Sequence, residues 1–171
     1  MSWTTEFLET NFFKVKNTHE VLSVLRKMGF ETYQENDTIM FYTDGETYFD
    51  EETEVILCKK PIQIEDTKTN FLGLISCNDI DSVDIQEVKE TYNLKDEDIV
   101  IVSILEYLQD QLQDEKQYIA MTDVGFTGRT GGNSNPFGEV MMITKNTVMF
   151  KSLYSIIQEK LTELNIQSWQ N

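Results

Sequence analysis

The chain has 171 residues, 40% of them hydrophobic, and its thirty acidic and fourteen basic side chains give a formal charge of −16 at pH 7. This length predicts one domain with a sizeable core, and the ten Phe and seven Tyr residues argue against intrinsic disorder. Direct binding to nucleic acid or to an anionic membrane is disfavoured, because both would repel a protein of this charge. A basic partner is favoured instead.

The acidic residues fall in two blocks. Acidic block 1, residues 28–58, contains nine carboxylates and no Lys or Arg, and acidic block 2, residues 76–115, contains twelve carboxylates and two lysines. The rest of the chain carries a small positive charge, so the two blocks supply the whole negative charge. Charge gathered in this way bears on partners and solubility rather than on the fold.

The first third of the chain begins with an alternating run at 11–16 that predicts a strand. Asn17 and Glu20 then have the spacing of a capping box, in which Asn17 accepts backbone N–H groups and Glu20 reaches back to the cap. Apolar residues at helical spacing follow over 21–28, and Gly29 is placed to end that helix.

Apolar runs bounded by turn formers predict further strands along the chain. They lie at 30–33, 38–42, 54–58, 71–76, 117–126, 139–144 and 147–151. The turns between paired runs are expected at Asn36-Asp37, Lys59-Lys60-Pro61 and Lys145-Asn146, and residues 43–53 are expected to form a polar acidic loop.

Three more helices are predicted, at 82–92, at 98–113 and after Ser152. The second is ambiguous: residues 99–102 are β-branched, yet Ile101, Leu105, Leu108 and Leu112 keep helical spacing. We expect a helix there, with the acidic residues 96–98 stabilising its first turn. Helices and strands alternate without a regular βαβ order, which predicts a single α+β domain with a largely antiparallel sheet and about four helices.

Histidine and cysteine are too few for the usual metal or nucleophile sites. His19 is the single histidine, no nucleophile motif accompanies it, and we expect it to be exposed in the first helical turn. Cys58 and Cys77, with that one histidine, do not make a convincing tetrahedral zinc set. Both cysteines are expected to be reduced thiols, because no secretory signal precedes them.

Residues 79–90 have a partial calcium-loop pattern. Asp79 stands at the first position and Glu90 at the twelfth, but Asp84 occupies the sixth position, where the sharp turn of an EF-hand requires glycine. An acidic helix start is the preferred interpretation. We therefore expect no metal, no cofactor and no enzymatic activity.

A segment rich in turn formers, 125–138, is the best candidate for a small-ligand site. Glycine-rich turns can form an anion-binding nest, to which Arg129 would add positive charge. The segment matches neither common phosphate-binding glycine motif, and a mobile connection between two strands is the preferred interpretation. If it binds a ligand or nucleotide, the residues concerned are Gly128, Arg129, Gly131 and Gly132.

Two parts of the sequence carry a resemblance to known proteins: Asn11-Phe12-Phe13-Lys14-Val15-Lys16-Asn17 near the start, and Tyr118-Ile119-Ala120-Met121 with Gly138-Glu139-Val140-Met141-Met142-Ile143-Thr144 near the end. The resemblance is to small uncharacterised proteins of phages and integrative mobile elements. It covers about half the chain and implies a mobile-element context. It carries over no catalytic residue.

These observations lead to a functional prediction. We expect an acidic, cytoplasmic, non-enzymatic binding protein whose carboxylates take the place of phosphates in the basic groove of a nuclease or another nucleic-acid-binding enzyme, as an immunity protein or a phage-borne inhibitor of host defence would. The predicted contacts, on one common surface of the two blocks, are Glu46, Tyr48, Asp50, Glu51, Glu52, Glu54, Asp79, Asp81, Asp84 and Glu87. Tyr48 and Phe49 are either aromatic anchors between the charges or core residues of an edge strand. The alternatives are a merely solvated acidic surface, a ligand-binding domain using 125–138, and a phage structural or assembly subunit.

Overall fold

The fold is described from a computed structural model. It describes residues 2–43, 48–76, 82–129 and 135–164, with the backbone alone for 2–6, 126–129 and 135–137. Nine strands occur in these ranges: β1 (Ser2–Thr10), β2 (Glu31–Glu35), β3 (Thr38–Thr43), β4 (Glu54–Ile64), β5 (Thr67–Ile75), β6 (Ile99–Ser103), β7 (Tyr118–Arg129), β8 (Asn135–Thr144) and β9 (Val148–Ser152). The α-helices in the same ranges are α1 (Thr18–Lys27), α2 (Ile85–Tyr92), α3 (Ile104–Gln111) and α4 (Leu153–Glu163).

The strands form two sheets. The larger sheet has six strands in the order β2-β3-β1-β7-β8-β9, and the smaller has three in the order β5-β4-β6. Every ladder between these strands is antiparallel. The protein is therefore an α+β domain built on antiparallel sheets, as the sequence predicted.

The main core is shared by the two sheets and by helices α1 and α3. Its fully buried side chains come from the larger sheet, both helices and the inner face of the smaller sheet: Phe41, Ile119, Ile143, Val24, Leu25, Ile104, Leu108 and Val55. A second cluster, Ile56, Cys58, Leu72 and Val88, lies between the smaller sheet and α2. Successive β4 residues alternate between the two clusters because strand side chains point to opposite faces.

The strand predicted at 11–16 is wrong. The strand is β1, which ends at Thr10. At Asn11 the backbone N–H still donates to the carbonyl of Ala120 (3.2 Å), but the side chain makes the other bonds to β7: its Nδ2 donates to the carbonyl of Tyr118 (3.1 Å), and its Oδ1 accepts from the N–H of Ala120 (2.6 Å). Beyond it, Phe13 and Val15 make single bridges to Ile39 and Leu112. Residues 11–16 thus connect several elements rather than following one ladder.

The helix predicted at 98–113 is also wrong in its first part. Residues 99–103 form β6, which pairs with β4, and the acidic residues before it form a short 3₁₀ turn, Asp96–Asp98. The helix α3 begins only after Ser103, whose hydroxyl accepts from the N–H of Glu106. The β-branched residues therefore form a strand rather than a helix, because β4 is available to pair with them. The helix predicted at 82–92 likewise begins later, at Ile85.

The turn predicted at Lys59-Lys60-Pro61 is wrong, because β4 continues to Ile64. The hairpin turns at Glu65-Asp66, where Glu65 has a left-handed φ of 52°. Pro61 is tolerated because the register to β5 shifts between Leu57 and Ile62, so the missing proline N–H interrupts no regular ladder.

The other predicted elements are close to their observed positions. Helix α1 is capped by Asn17, whose Oδ1 accepts from the N–H of Glu20 (3.2 Å), and Gly29 follows its last turn with φ 90°. The β2–β3 turn falls at Asn36-Asp37, and β8 and β9 turn at 145–147. Ser152 caps α4, whose apolar stripe contains no buried residue.

Candidate functional site

The loop before β4 carries the first group of predicted contacts. Tyr48 is 55% exposed, whereas Phe49 packs against the main core and stacks on Phe30 and Phe41 with ring centroids 6.2 and 6.5 Å apart. Of the two aromatic residues considered as anchors, Tyr48 is thus the one at the surface. Phe49 holds this end of the loop to the core.

Asp50 links acidic block 1 to the start of acidic block 2. Its Oδ1 accepts from the N–H of Glu52 (3.0 Å), and its Oδ2 accepts from the hydroxyl of Ser76 (3.3 Å). The backbone N–H of Ser76 donates in turn to the hydroxyl of Ser82 (2.9 Å), and that hydroxyl donates to the carbonyl of Ser76 (3.0 Å). Asp50 therefore has a positioning role in addition to its charge.

The same end of the smaller sheet gathers further acidic residues. Glu54 opens β4 and lies between Ile75 of β5 and Ser103 of β6. The N–H of Ile104 donates to the carbonyl of Thr53 (2.9 Å), which fixes the start of α3 beside Glu54. Glu106 in the first turn of α3 is therefore an acidic residue of this region that the sequence analysis missed. The Ser103-x-x-Glu106 capping box was the signal that could have placed it.

Helix α2 brings two more carboxylates to the region. Asp84 caps the helix by accepting from the N–H of Gln86 (2.7 Å), and Glu87 is exposed in its first turn. The residues just before this helix are held against β5 by the hydrogen bond from the N–H of Val83 to the carbonyl of Leu74 (2.9 Å). We call the group defined by these contacts the acidic end: Asp50, Glu51, Glu52, Glu54, Asp84, Glu87 and Glu106.

The acidic end has little countercharge. Within the described ranges, Glu51, Glu54, Asp84 and Glu87 form no ion pair, and the ion pairs lie elsewhere, such as Lys14–Asp37 (2.6 Å). Residues 96–98 of acidic block 2 are separate. Residues 96–98 come directly before Ile99, which pairs with Cys58 of β4. Cys58 is four residues along β4 from Glu54, so the two positions are about 13 Å apart at the usual rise of a strand. The predicted contacts Glu46, Asp79 and Asp81 lie outside the described residues.

The glycine-rich segment is not a single loop. Gly128 and Arg129 belong to β7, where they pair with Trp3 and Ser2 of β1, and β8 begins again at Asn135. The expectation of one loop over 125–138 is therefore wrong, because most of the segment is a β-hairpin. Gly131 and Gly132 lie outside the described residues.

Glu20 is a buried carboxylate that sequence analysis placed wrongly. Rather than reaching back to its cap, the side chain is 3% exposed and accepts from the N–H of Asn70 (2.9 Å), the hydroxyl of Thr69 (3.3 Å) and the phenol of Tyr107 (3.2 Å). Burial, and then the adjacent Glu20 carboxylate, raise the pKa of Tyr107. The group joins α1, β5 and α3, which indicates a structural role.

The remaining candidate chemistry is sparse. In the described ranges no three His, Cys, Asp or Glu side chains are grouped so as to hold a metal ion. Cys58 is a free, buried thiol, and His19 is exposed as expected. None of the helices in those ranges is both long and apolar enough to cross a membrane.

Comparisons with protein-family models, with characterised proteins and with solved structures find no match to this chain.

Proposed function

We propose that this protein is an acidic, non-enzymatic binding protein that docks the acidic end onto a basic surface of a nucleic-acid-binding enzyme and blocks it. The observation that carries the proposal is the hydrogen-bonded link from Asp50 through Ser76 to Ser82, because it joins the two acidic blocks at one end of the smaller sheet. Carboxylates held on a folded surface present negative charge at fixed positions, as phosphates do along a nucleic acid.

Two further features support this function. Tyr48 is exposed next to the carboxylates, and an aromatic side chain between charges is a frequent anchor of protein interfaces. Within the described residues, Glu51, Glu54, Asp84 and Glu87 have no ion-pair partner, and their uncompensated negative charge costs stability through self-repulsion and favours a cationic partner. A cytoplasmic, mobile-element setting, as an immunity protein or an inhibitor of host defence, belongs to the same proposal.

The decisive experiment compares two variants with the same change in charge. The acidic-end variant is Glu51→Lys, Glu54→Lys and Glu87→Lys, which spares Asp50 because its side chain holds the loop. The control variant is Asp66→Lys, Glu97→Lys and Glu115→Lys, at exposed positions outside the acidic end. Both variants raise the net charge equally, so a difference in binding between them shows that the position of the carboxylates matters, and not only the total charge.

Proteins captured by immobilised wild type are identified by mass spectrometry, and their association rates and nuclease activities are then measured with each variant over a salt series. We expect the acidic-end variant to associate about tenfold more slowly at low salt and to inhibit less, whereas the control variant should stay near wild type. Equal rates for the two variants, or captured enzymes that remain fully active in the complex, would contradict the proposal.

A further inference from the structure

The outer face of the six-stranded sheet exposes aromatic side chains. Successive side chains of β1 point to opposite faces of the sheet: Leu8 is buried against the core, whereas Phe7 is 50% exposed. The face that carries Phe7 is therefore the outer face, turned away from the core. The large apolar side chains on this face that are at least one-third exposed are Phe7, Phe12, Tyr33, Tyr42, Tyr118 and Met149. A solvent-exposed set of this kind is typical of an interaction surface.

The charges directly beside Tyr42 are negative. Tyr42 of β3 pairs with Glu31 on one side and with Glu9 of β1 on the other, so a tyrosine ring lies between two glutamates on adjacent strands. In β2, Glu31, Tyr33 and Glu35 follow at every second position and therefore share the outer face. Carboxylates beside exposed tyrosine rings favour a Lys or Arg side chain, by ion pairing and by cation–π attraction.

Strand β2 is also an edge. In the described part of the chain it pairs only with β3, and four of its five residues are exposed. An edge strand offers a row of backbone N–H and C=O groups to which an extended segment can add. A second copy of this chain is a poor occupant, because antiparallel pairing of two β2 strands would bring Glu31 and Glu35 close to the same residues of the other copy.

The opposite face of β2 has the opposite charge. Thr32 points away from the outer face and accepts a hydrogen bond from Nε of Arg26 on α1 (2.9 Å). A basic side chain directed towards this face would meet the Arg26 guanidinium. An added strand would therefore meet the carboxylates of Glu31 and Glu35 on its outer face and the guanidinium of Arg26 on its other face.

We propose that β2 binds an extended basic segment of a partner protein as an additional strand of the sheet. The segment carries Lys or Arg at positions i and i+4, next to Glu31 and Glu35, and an apolar or aromatic residue at i+2, next to Tyr33. Positions i+1 and i+3 face Arg26 and are not basic. This inference concerns a different surface from the acidic end and stands whether or not the proposed function is correct.

The test uses two fluorescent peptides of identical composition. The matched peptide has the core Arg-Thr-Val-Thr-Arg, and the shifted peptide has the core Thr-Arg-Val-Arg-Thr, which directs its basic residues to the Arg26 face. Binding is measured by fluorescence anisotropy, and the site by hydrogen exchange of the amides of residues 31–35. We expect the matched peptide to bind about tenfold more tightly than the shifted one and to slow exchange in β2.

The double variant Glu31→Gln, Glu35→Gln should remove that preference, whereas Glu51→Gln, Glu54→Gln, an equal change of charge at the acidic end, should keep it. Equal binding of the two peptides, or unchanged exchange in β2, would overturn the proposal in favour of general attraction to an acidic protein. Dimers in analytical ultracentrifugation that protect the β2 amides without peptide would overturn it in favour of a second copy.

Discussion

Replacing Glu20 is the sharpest test of the packing described above. The carboxylate accepts three hydrogen bonds, and Glu20→Ala would leave the donors of Thr69, Asn70 and Tyr107 without it. Thr69 and Asn70 are half-buried, so water can reach them once the side chain is removed, but Tyr107 is 2% exposed. Losing a hydrogen bond whose donor is rehydrated costs about 1 kcal/mol, which applies to Thr69 and to Asn70, and leaving the buried Tyr107 donor unsatisfied costs about 2 kcal/mol. The expected loss of unfolding free energy is therefore about 4 kcal/mol.

The variant Glu20→Gln has a different expected outcome. Its amide oxygen can accept from the N–H of Asn70 and the hydroxyl of Thr69, while its NH₂ group donates to the Tyr107 oxygen, which can act as an acceptor. The contacts to Asn70 and Thr69 are kept, but the reversed contact leaves the buried O–H of Tyr107 without an acceptor, so the expected cost is about 2 kcal/mol.

Urea unfolding followed by circular dichroism measures both variants. For a chain of this size about 1 kcal/mol corresponds to roughly 2–4 °C, so melting temperatures should fall by about 8–16 °C for Glu20→Ala and about 4–8 °C for Glu20→Gln. Glu90→Ala, at an exposed position of α2, is the control and should stay within about 0.5 kcal/mol of wild type. If Glu20→Ala costs no more than Glu20→Gln, the carboxylate is not the shared acceptor inferred here.

Three further predictions concern single contacts. Because the folded protein raises the pKa of Tyr107 above its ordinary 10.0, stability should fall as the pH rises past about 10, and Tyr107→Phe should flatten that decline; parallel pH–stability curves would contradict this. A Cβ added at Gly73 would lie 2.6 Å from Cγ2 of Val83, so Gly73→Ala should cost about 1–3 kcal/mol in urea unfolding. A double-mutant cycle with Val83→Ala should show coupling, and simple additivity would exclude the clash. The hydrogen bond from Lys14 lowers the pKa of Asp37, so NMR titration should find it below 3.8 and Lys14→Met should raise it; any stability from the pair is lost as the pH falls through the lowered value. The same pKa in both proteins would show that the pair does not persist in solution.

Local patterns predicted the elements whose determinants lie close together in the chain. Asn17 and Gly29 mark the ends of α1, and the turn at Asn36-Asp37 joins β2 to β3, because caps and tight turns depend on a few neighbouring residues. The same reasoning failed for Glu20. Its capping-box spacing was correct, but hydrogen-bond donors on β5 and α3 attract the carboxylate more strongly than the N–H groups of its own helix terminus do.

Strand boundaries depended on partners that are distant in sequence. Residues 99–103 fit a helix or a strand about equally well, and pairing with β4 decided the outcome. Residues 11–16 alternate as a strand does, yet the regular ladder with β7 ends at Thr10, and at Asn11 the side chain makes two of the hydrogen bonds to β7. Neither result could be read from local spacing, because hydrogen-bond partners across a sheet are set by the whole topology.

The sequence by itself determined the α+β class, the strongly negative charge and its concentration in two blocks. Only the tertiary structure decided where that charge lies: Asp50 reaches Ser76 across the ends of β4 and β5, Glu106 joins the same region, and residues 96–98 are carried to the other end of the β4–β6 ladder. The physical reason is that composition fixes the amount of charge, whereas its position follows from strand pairing. The exposed edge at β2 likewise exists only in the folded sheet, since alternation in sequence does not reveal which strand lacks a neighbour.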